Sequence, residues 1–415
     1  MKRALIVAYH FPPLAGGSGI QRTLRFVQHL PQFGWQPLVL TVHPRAYERT
    51  DAELLTEVPA GTVVRRAFAL DTARQLAIGG RYVASMARPD RWASWRFGAM
   101  LEGLKMIREF RPQVLFSTYP IATAHVIGAG LQRRSGLPWF ADFRDPMGFD
   151  DWPEDPLTRE RFHAIEREAL QRAAGTLVTT PGALRLYRQR YPEAAGRVHL
   201  LENGYDEESF VRAGSAPRAP LNPGAVTLLH SGIVYPSERD PTQLLEALGA
   251  LLRAGRLDPQ RFRLRFRAAV HDGLLREIAE RHGALPLIEL CPPVGYAEAL
   301  QEMLAADALL VLQAANCNDQ IPAKLYEYMR AGRPMLCLTD PAGDTAAVLR
   351  ESGGGLLARL DSAAEIGAVL PGFIDAVRAG SGPVADPARV HRASRAGRTE
   401  SLAALFDSVV QRTGR

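Results

Sequence analysis

Lysine is almost missing from this chain: of 50 basic residues only Lys2, Lys105 and Lys324 are lysine, and the rest are arginine. Cysteine is equally scarce. Cys291, Cys317 and Cys337 are odd in number, show no C-x-x-C pair and have no histidine at ligand spacing, so neither a disulfide framework nor a structural zinc site is expected. That usage suits a reducing, cytoplasmic compartment. Long apolar runs are also lacking, since the best one, Ala308 to Ala315, is broken by Gln313 and falls far short of the roughly 18 residues of a membrane-spanning helix. The start, MKRALIVAYHFPP, has an apolar stretch only from Ala4 to Ala8 before Tyr9, His10 and two prolines, which suits a first β-strand better than a signal peptide. No G-x-G-x-x-G fingerprint occurs in either half, which argues against a dehydrogenase.

What is present is a chain of 415 residues with 47% hydrophobic content, too long for one core and suited to domains of roughly 200 residues. Short apolar runs at Ala4 to Tyr9, Pro37 to Val42, Gln113 to Ser117, Trp139 to Phe143 and Thr176 to Thr179 alternate with helical patterns, as in a parallel sheet. A Pro-rich stretch, RAGSAPRAPLNPGA, interrupts the periodicity over 212–225. Strand patterns then resume at Val226 to His230, Phe262 to Val270, Leu287 to Leu290, Ala308 to Leu312 and Pro334 to Leu338. The expected organisation is therefore α/β, with Rossmann-like doubly wound domains at 1–211 and 226–385, a linker at 212–225 and a helical segment at 386–415 packing back on the first domain. A net charge of +6 favours acidic partners. The alternating QRFRLRFR of residues 260–267 reads as a charged edge strand, and without aromatic platforms or a known module it gives no ground for nucleic-acid binding.

Three segments carry candidate chemistry. In HFPPLAGGSGIQRTL, Gly16, Gly17 and Gly19 let backbone approach a ligand at a helix start, although a tight strand-to-helix turn needs glycine in any case. WFADFRDPM puts Asp142, Arg144 and Asp145 at the end of a strand, where doubly wound sheets bind ligands; an ion pair or helix cap is the competing reading. His125, in the helix after STYPIATA, is a weaker candidate, because a lone histidine among small residues is usually structural. In NDQIPAKLYEYMRAGRPML, Pro322 suits the first helical position, leaving the amides of Ala323 and Lys324 facing outward as an anion site. Lys324 and Glu327 share a helix side, where a salt bridge is the bland alternative. A lysine kept in an arginine-rich chain suggests a need for a compact ammonium.

Taken in order, these segments resemble the retaining nucleotide-sugar glycosyltransferases of family four, over nearly the whole chain. LLENGYDEESF is similar to the family's interdomain N-G-x-D followed by Phe, at Asn203, Gly204, Asp206 and Phe210. HSGIVYPSERDPTQLLEAL resembles the loop around the donor diphosphate, with Gly232 and Arg239 at matching positions and Ile233 where many members have arginine. The family's two spaced glutamates appear as Asp319 and Glu327, and Arg144 stands where other members carry a histidine.

The resemblance implies a GT-B architecture, with an acceptor-side N-terminal domain and a donor-side C-terminal domain facing each other across a cleft. It implies that Glu327 binds the donor ribose, that Asp319 reaches the donor sugar or phosphate, and that Val294 lies near the base. Lys324 and Arg239 would neutralise the diphosphate, while Arg144 and Asp145 would contact the acceptor or the transferred sugar. Retention and independence of metal and cofactor follow from the same resemblance, and the absence of any D-x-D triplet agrees with the latter. The partners implied are a nucleotide-sugar donor and a glycan or lipid-linked acceptor of surface polysaccharide or glycolipid synthesis. Basic and aromatic residues from Arg88 to Phe110, including Trp92, Trp95 and Phe97, suggest peripheral contact with the anionic inner face of a membrane. A nucleotide-sugar epimerase and a catalytically degenerate binding protein are the competing readings.

Overall fold

In a computed structural model, residues 1–15, 19–215 and 219–413 are described, and they form two compact units. Gly16 and Gly17 lie outside the described residues. The first unit comprises Met1–Asn203 and Arg395–Arg415, the second Gly204–Ser394.

Among the described residues, seven parallel strands run through the first unit: β1 (Lys2–Ala8), β2 (Trp35–Val42), β3 (Val63–Ala67), β4 (Val114–Thr118), β5 (Trp139–Arg144), β6 (Gly175–Val178) and β7 (Val198–Leu200), in the order β3-β2-β1-β4-β5-β6-β7. Each central strand feeds two cores, because successive side chains leave opposite faces. In β1, Leu5 and Val7 enter one cluster with Leu38 and Leu40, while Ala4, Ile6 and Ala8 enter the other with Val39. Helices Trp95–Phe110 and Thr123–Ser135 cover the first face. Helix Arg395–Thr413 covers the second, where Phe406 packs 5.0 Å from the ring of Phe140 and 5.2 Å from that of Trp35. Trp95 is fully buried and so withdrawn from the surface on which the sequence expectation placed it, and Trp92 is half-buried, resting against Tyr9 at 4.5 Å and donating its indole N–H to the Ala46 carbonyl.

The second unit holds β8 (Val226–Ser231), β9 (Phe262–Arg267), β10 (Ile288–Cys291), β11 (Ala308–Leu312), β12 (Met335–Leu338) and β13 (Gly355–Ala358), parallel in the order β10-β9-β8-β11-β12-β13. Here too alternate residues divide between two cores: Ala308, Leu310 and Leu312 face one, Leu309 and Val311 the other. β9 is not the edge strand expected from its arginines, since β10 lies outside it. Its charges are neutralised within the unit instead: Arg265 pairs with Glu289 and Glu302, and Arg267 with Glu302.

The boundary between units falls eight residues before the expected 211, and the Pro-rich stretch lies inside the second unit. Packing explains the shift. Asp206 caps helix Glu207–Gly214 through the Ser209 amide, and Phe210 and Ala213 of that helix join the second unit's core. A Cβ on Gly204 would come within 2.4 Å of the Ala393 carbonyl oxygen, so the N-G-x-D segment needs glycine for a close chain approach. At the other end, helix Pro387–Arg392 stays with the second unit and only residues from Arg395 onward return to the first, dividing the expected 386–415 segment. No helix among the described residues is long and apolar enough to cross a membrane.

Candidate functional site

The second unit gathers its candidates at the carboxyl ends of β8, β10 and β11, where open parallel sheets leave room for ligands. β8 ends at Ser231, and Gly232 follows with φ +113°, a conformation that disfavours side chains. Helix Lys324–Ala331 is pinned beside it, because the Ser231 amide donates to the Tyr328 hydroxyl at 2.9 Å. One turn earlier on the same side, the Lys324 ammonium lies 3.1 Å from His230 Nε2 and would lie 3.1 Å from a Cβ on Gly232. A bulkier guanidinium would have to displace these neighbours, which is a physical reason for lysine here in a chain built on arginine. Arg239 donates to the Ile233 carbonyl at 2.5 Å and stacks over Tyr235. Ile233 thus offers backbone, not charge, and the cations are Lys324 and Arg239.

The electrostatics match that geometry. Desolvation of the Lys324 ammonium, assisted by Arg239 and opposed by Glu327, brings its pKa down to about 7. Burial, then Lys324 and Arg239, hold the pKa of His230 well below the ordinary histidine value, so the imidazole is neutral and accepts from Lys324. Lys324 and Arg239, next to the amides of Ala323 and Lys324 at a helix start, have the chemistry that a bound anion would require, and an anion there would favour the charged form of Lys324. Glu327 accepts from the Tyr296 hydroxyl at 2.8 Å, so Lys324 and Glu327 take different partners although they share a helix side. Val294, two residues before Tyr296, is partly exposed in the loop after β10, and Asp319 is exposed in the loop before Pro322. A cavity of about 820 Å3 in this unit lies elsewhere, over the ends of β11 to β13. Its carboxylates are occupied locally, Asp240 by Thr242, Asp340 by Asn318 and Ala342, and Asp361 by Arg359, so we do not assign the site there.

In the first unit the corresponding strand ends are those of β1, β4 and β5. Arg144 closes β5 with φ 62°, unusual for a residue with a side chain, at a register shift against β6. Thr179 holds its carbonyl through both amide and hydroxyl at 2.9 Å, and its guanidinium donates to the Tyr119 carbonyl at 3.3 Å. A Cβ on Gly19, at the start of helix Gly19–His29, would lie 2.4 Å from His10 Nδ1 and 3.1 Å from the Arg144 guanidinium, so glycine is required for these two side chains to meet the helix start. Asp145 is exposed beside them. His10 was missed by sequence reasoning, although its place two residues past a strand end was the available signal. Burial and the charge of Arg144 lower its pKa to about 4. It lines a cavity of about 310 Å3 with Tyr9, Leu14, Ala15, Glu48, Arg49 and Trp92.

Two expected ligand contacts are corrected. Asp142 is fully buried, and its carboxylate accepts two bonds from Arg22 at 2.9 Å and one from Thr118 at 2.8 Å, so it holds the strand end together and does not face substrate. His125 is likewise buried, with Nδ1 2.8 Å from the Ser117 hydroxyl and its ring against Phe143. Among the described residues, no group of three or more His, Cys, Asp or Glu side chains is placed to hold a metal.

Residues 17–204 match the glycosyl transferase 4-like domain family. Three solved structures illustrate the fold. HepE of Anabaena, in complex with UDP, is 14% identical, covering 100% of this chain and 98% of its own, with a TM-score of 0.59. A glycosyltransferase of Rickettsia africae is 9% identical, covering 99% of both chains, with a TM-score of 0.63. A putative UDP-N-acetylglucosamine 2-epimerase of Listeria monocytogenes is 10% identical, covering 99% of this chain and 98% of its own, with a TM-score of 0.57. No curated protein sequence matches the chain. Two Rossmann-like units, a match to the glycosyl transferase 4-like domain over residues 17–204 and the likeness to these structures give the chain the GT-B fold.

Proposed function

We propose that this protein transfers a sugar from a nucleotide-sugar donor to a hydroxyl of a glycan or lipid-linked acceptor, with retention and without a metal ion, in surface polysaccharide or glycolipid synthesis. The observation that carries the reading is the convergence of Lys324, Arg239 and a helix start on the glycine turn at Gly232. As the bond from the sugar's anomeric carbon to the diphosphate oxygen breaks, negative charge grows on the diphosphate, and this cluster is built to receive it. The acceptor oxygen forms the new bond to that carbon, and its proton passes to the departing diphosphate. Glu327 takes the ribose hydroxyls, Val294 the base, and Asp319 the donor sugar. In the first unit, Arg144, Asp145 and the neutral imidazole of His10 orient the acceptor.

A melting-temperature screen against UDP, GDP, ADP and TDP sugars identifies the donor, since a ligand at a hundred times its Kd stabilises by about 2.7 kcal/mol. HepE was crystallised with UDP, so uridine diphosphate sugars come first. Turnover is expected to persist in excess chelator, because cations and amides perform the metal's usual task. If no donor raises the melting temperature, the proposed site is wrong. Release of an epimerised sugar nucleotide without acceptor would favour the epimerase.

Affinity for the released nucleoside diphosphate should depend on pH, and more strongly than affinity for the intact donor, whose diphosphate carries less charge. The diphosphate binds the protonated form of Lys324, whose pKa of about 7 is raised by the bound anion. UDP is therefore expected to bind most tightly below pH 7 and to weaken by up to about tenfold per pH unit above it, until the pKa of the complex is reached. Calorimetric titration from pH 6 to pH 9 measures this, and Lys324→Met should flatten the profile; an equally steep profile in that variant would assign the effect to another group.

A further inference from the structure

We propose that the outer ridge of helix Trp95–Phe110, together with Phe68, is a docking surface for an anionic phospholipid bilayer. The helix is pressed onto its unit through Trp95, Ala99, Gly103 and Met106, with Gly103 against Leu131 and Leu40. That packing turns Phe97, Leu101, Lys105 and Arg108, at steps of four, four and three residues, into one outward row. Phe97 is 63% exposed and Leu101 66%. Phe68, 50% exposed, is their neighbour, since its backbone lies within 3.0 Å of where Gly98 would carry a Cβ.

The charges around this apolar trio that lack an ion-pair partner are of one sign. Arg96 stacks on Phe97 at 4.6 Å and Arg45 on Phe68 at 5.3 Å. Among the described residues, Arg45, Arg96 and Arg108 make no ion pair, whereas the nearby acids do: Glu102 with Lys105 and Glu109 with Arg65. Exposed Phe and Leu side chains beside unpaired guanidinium groups suit a surface where acyl chains lie directly beneath phosphates. A nucleic acid or an acidic protein would satisfy the arginines but leave the aliphatic Leu101 unexplained. The inference does not depend on the proposed transfer reaction.

The test is flotation of the full chain with phosphatidylcholine vesicles, with and without phosphatidylglycerol. Binding is expected only with the anionic lipid, and it should weaken as salt rises. Substituting Arg45, Arg96 and Arg108 together by glutamine is expected to lower partitioning roughly a hundredfold, since three cations near the surface are removed. Phe97→Glu combined with Leu101→Glu should abolish flotation with the melting temperature unchanged, because both side chains are already exposed. The proposal is overturned if the wild-type chain stays with the soluble fraction, or if the Phe97 and Leu101 double variant floats like wild type. UDP binding by the same preparations reports on the donor site separately, so either idea can fail alone.

Discussion

Lys324→Ala is expected to lower turnover about a hundredfold while changing donor affinity much less, as when a preorganised charge that faces the leaving group is removed. Glu327→Ala should fail in the opposite way. Its carboxylate, held by the Tyr296 hydroxyl, is assigned to the ribose, and each hydrogen bond to a charged acceptor contributes about 1.5 to 3 kcal/mol. At 1.4 kcal/mol per tenfold, donor binding should weaken at least about tenfold. Measuring Kd by calorimetry and kcat for both variants separates the two roles. Were Lys324 and Glu327 only a helix ion pair, each substitution would cost about 0.5 kcal/mol of stability and leave kinetics intact.

Asp142→Ala is expected to have the largest effect on stability. The carboxylate is fully buried and receives Arg22, itself nearly buried, at 2.9 Å through two bonds. Arg22 also donates to the carbonyls of Leu201 and Glu202, so it ties helix Gly19–His29 to β5 and to the segment after β7. Removing the acid leaves a buried cation without its partner, a cost of about 3 to 5 kcal/mol. For a unit of this size each kcal/mol moves the melting point by roughly 2 to 4 °C, so a fall of about 10 °C is expected. Scanning calorimetry would show whether a first-unit transition moves alone. Arg22→Met with Asp142→Leu should recover much of the loss, because an apolar pair has no charge to desolvate. A single Asp142→Ala variant melting within 2 °C of wild type would mean that water or relaxation satisfies Arg22.

Much of this architecture could be read in the residues because its central strands are apolar on both faces. β11 appears at the residues expected, and β5 and β8 within one residue, since VTLLH and ALLVL have few alternatives to a buried strand. β3, β7 and β13 were not anticipated. They are edge strands of three to five residues with partly exposed side chains, such as VVRRA and VHL, and their pairing is decided by the neighbouring strand, not by their own pattern. The arginines of β9 misled for the related reason that Glu289 and Glu302, which neutralise them, lie more than twenty residues further on.

By itself the sequence determined two doubly wound units and a helix start carrying Lys324 and Glu327, because periodicity and proline act over a few residues, while Gly232 was pointed to by the family resemblance. Only the tertiary structure decided what the charges do. Asp142 became an ion-pair partner because Arg22, 120 residues away, reaches it from another element. His10 came to lie with Arg144 at one helix start because Gly19, lacking a Cβ, lets that helix close against both. Trp92 and Trp95 were drawn into the core while Phe97 and Leu101 stayed outside, a choice made by which face of one helix found Leu40 and Leu131 to pack on. A titratable or aromatic side chain takes its role from the groups that surround it, and in a sheet of parallel crossovers those groups come from distant parts of the chain.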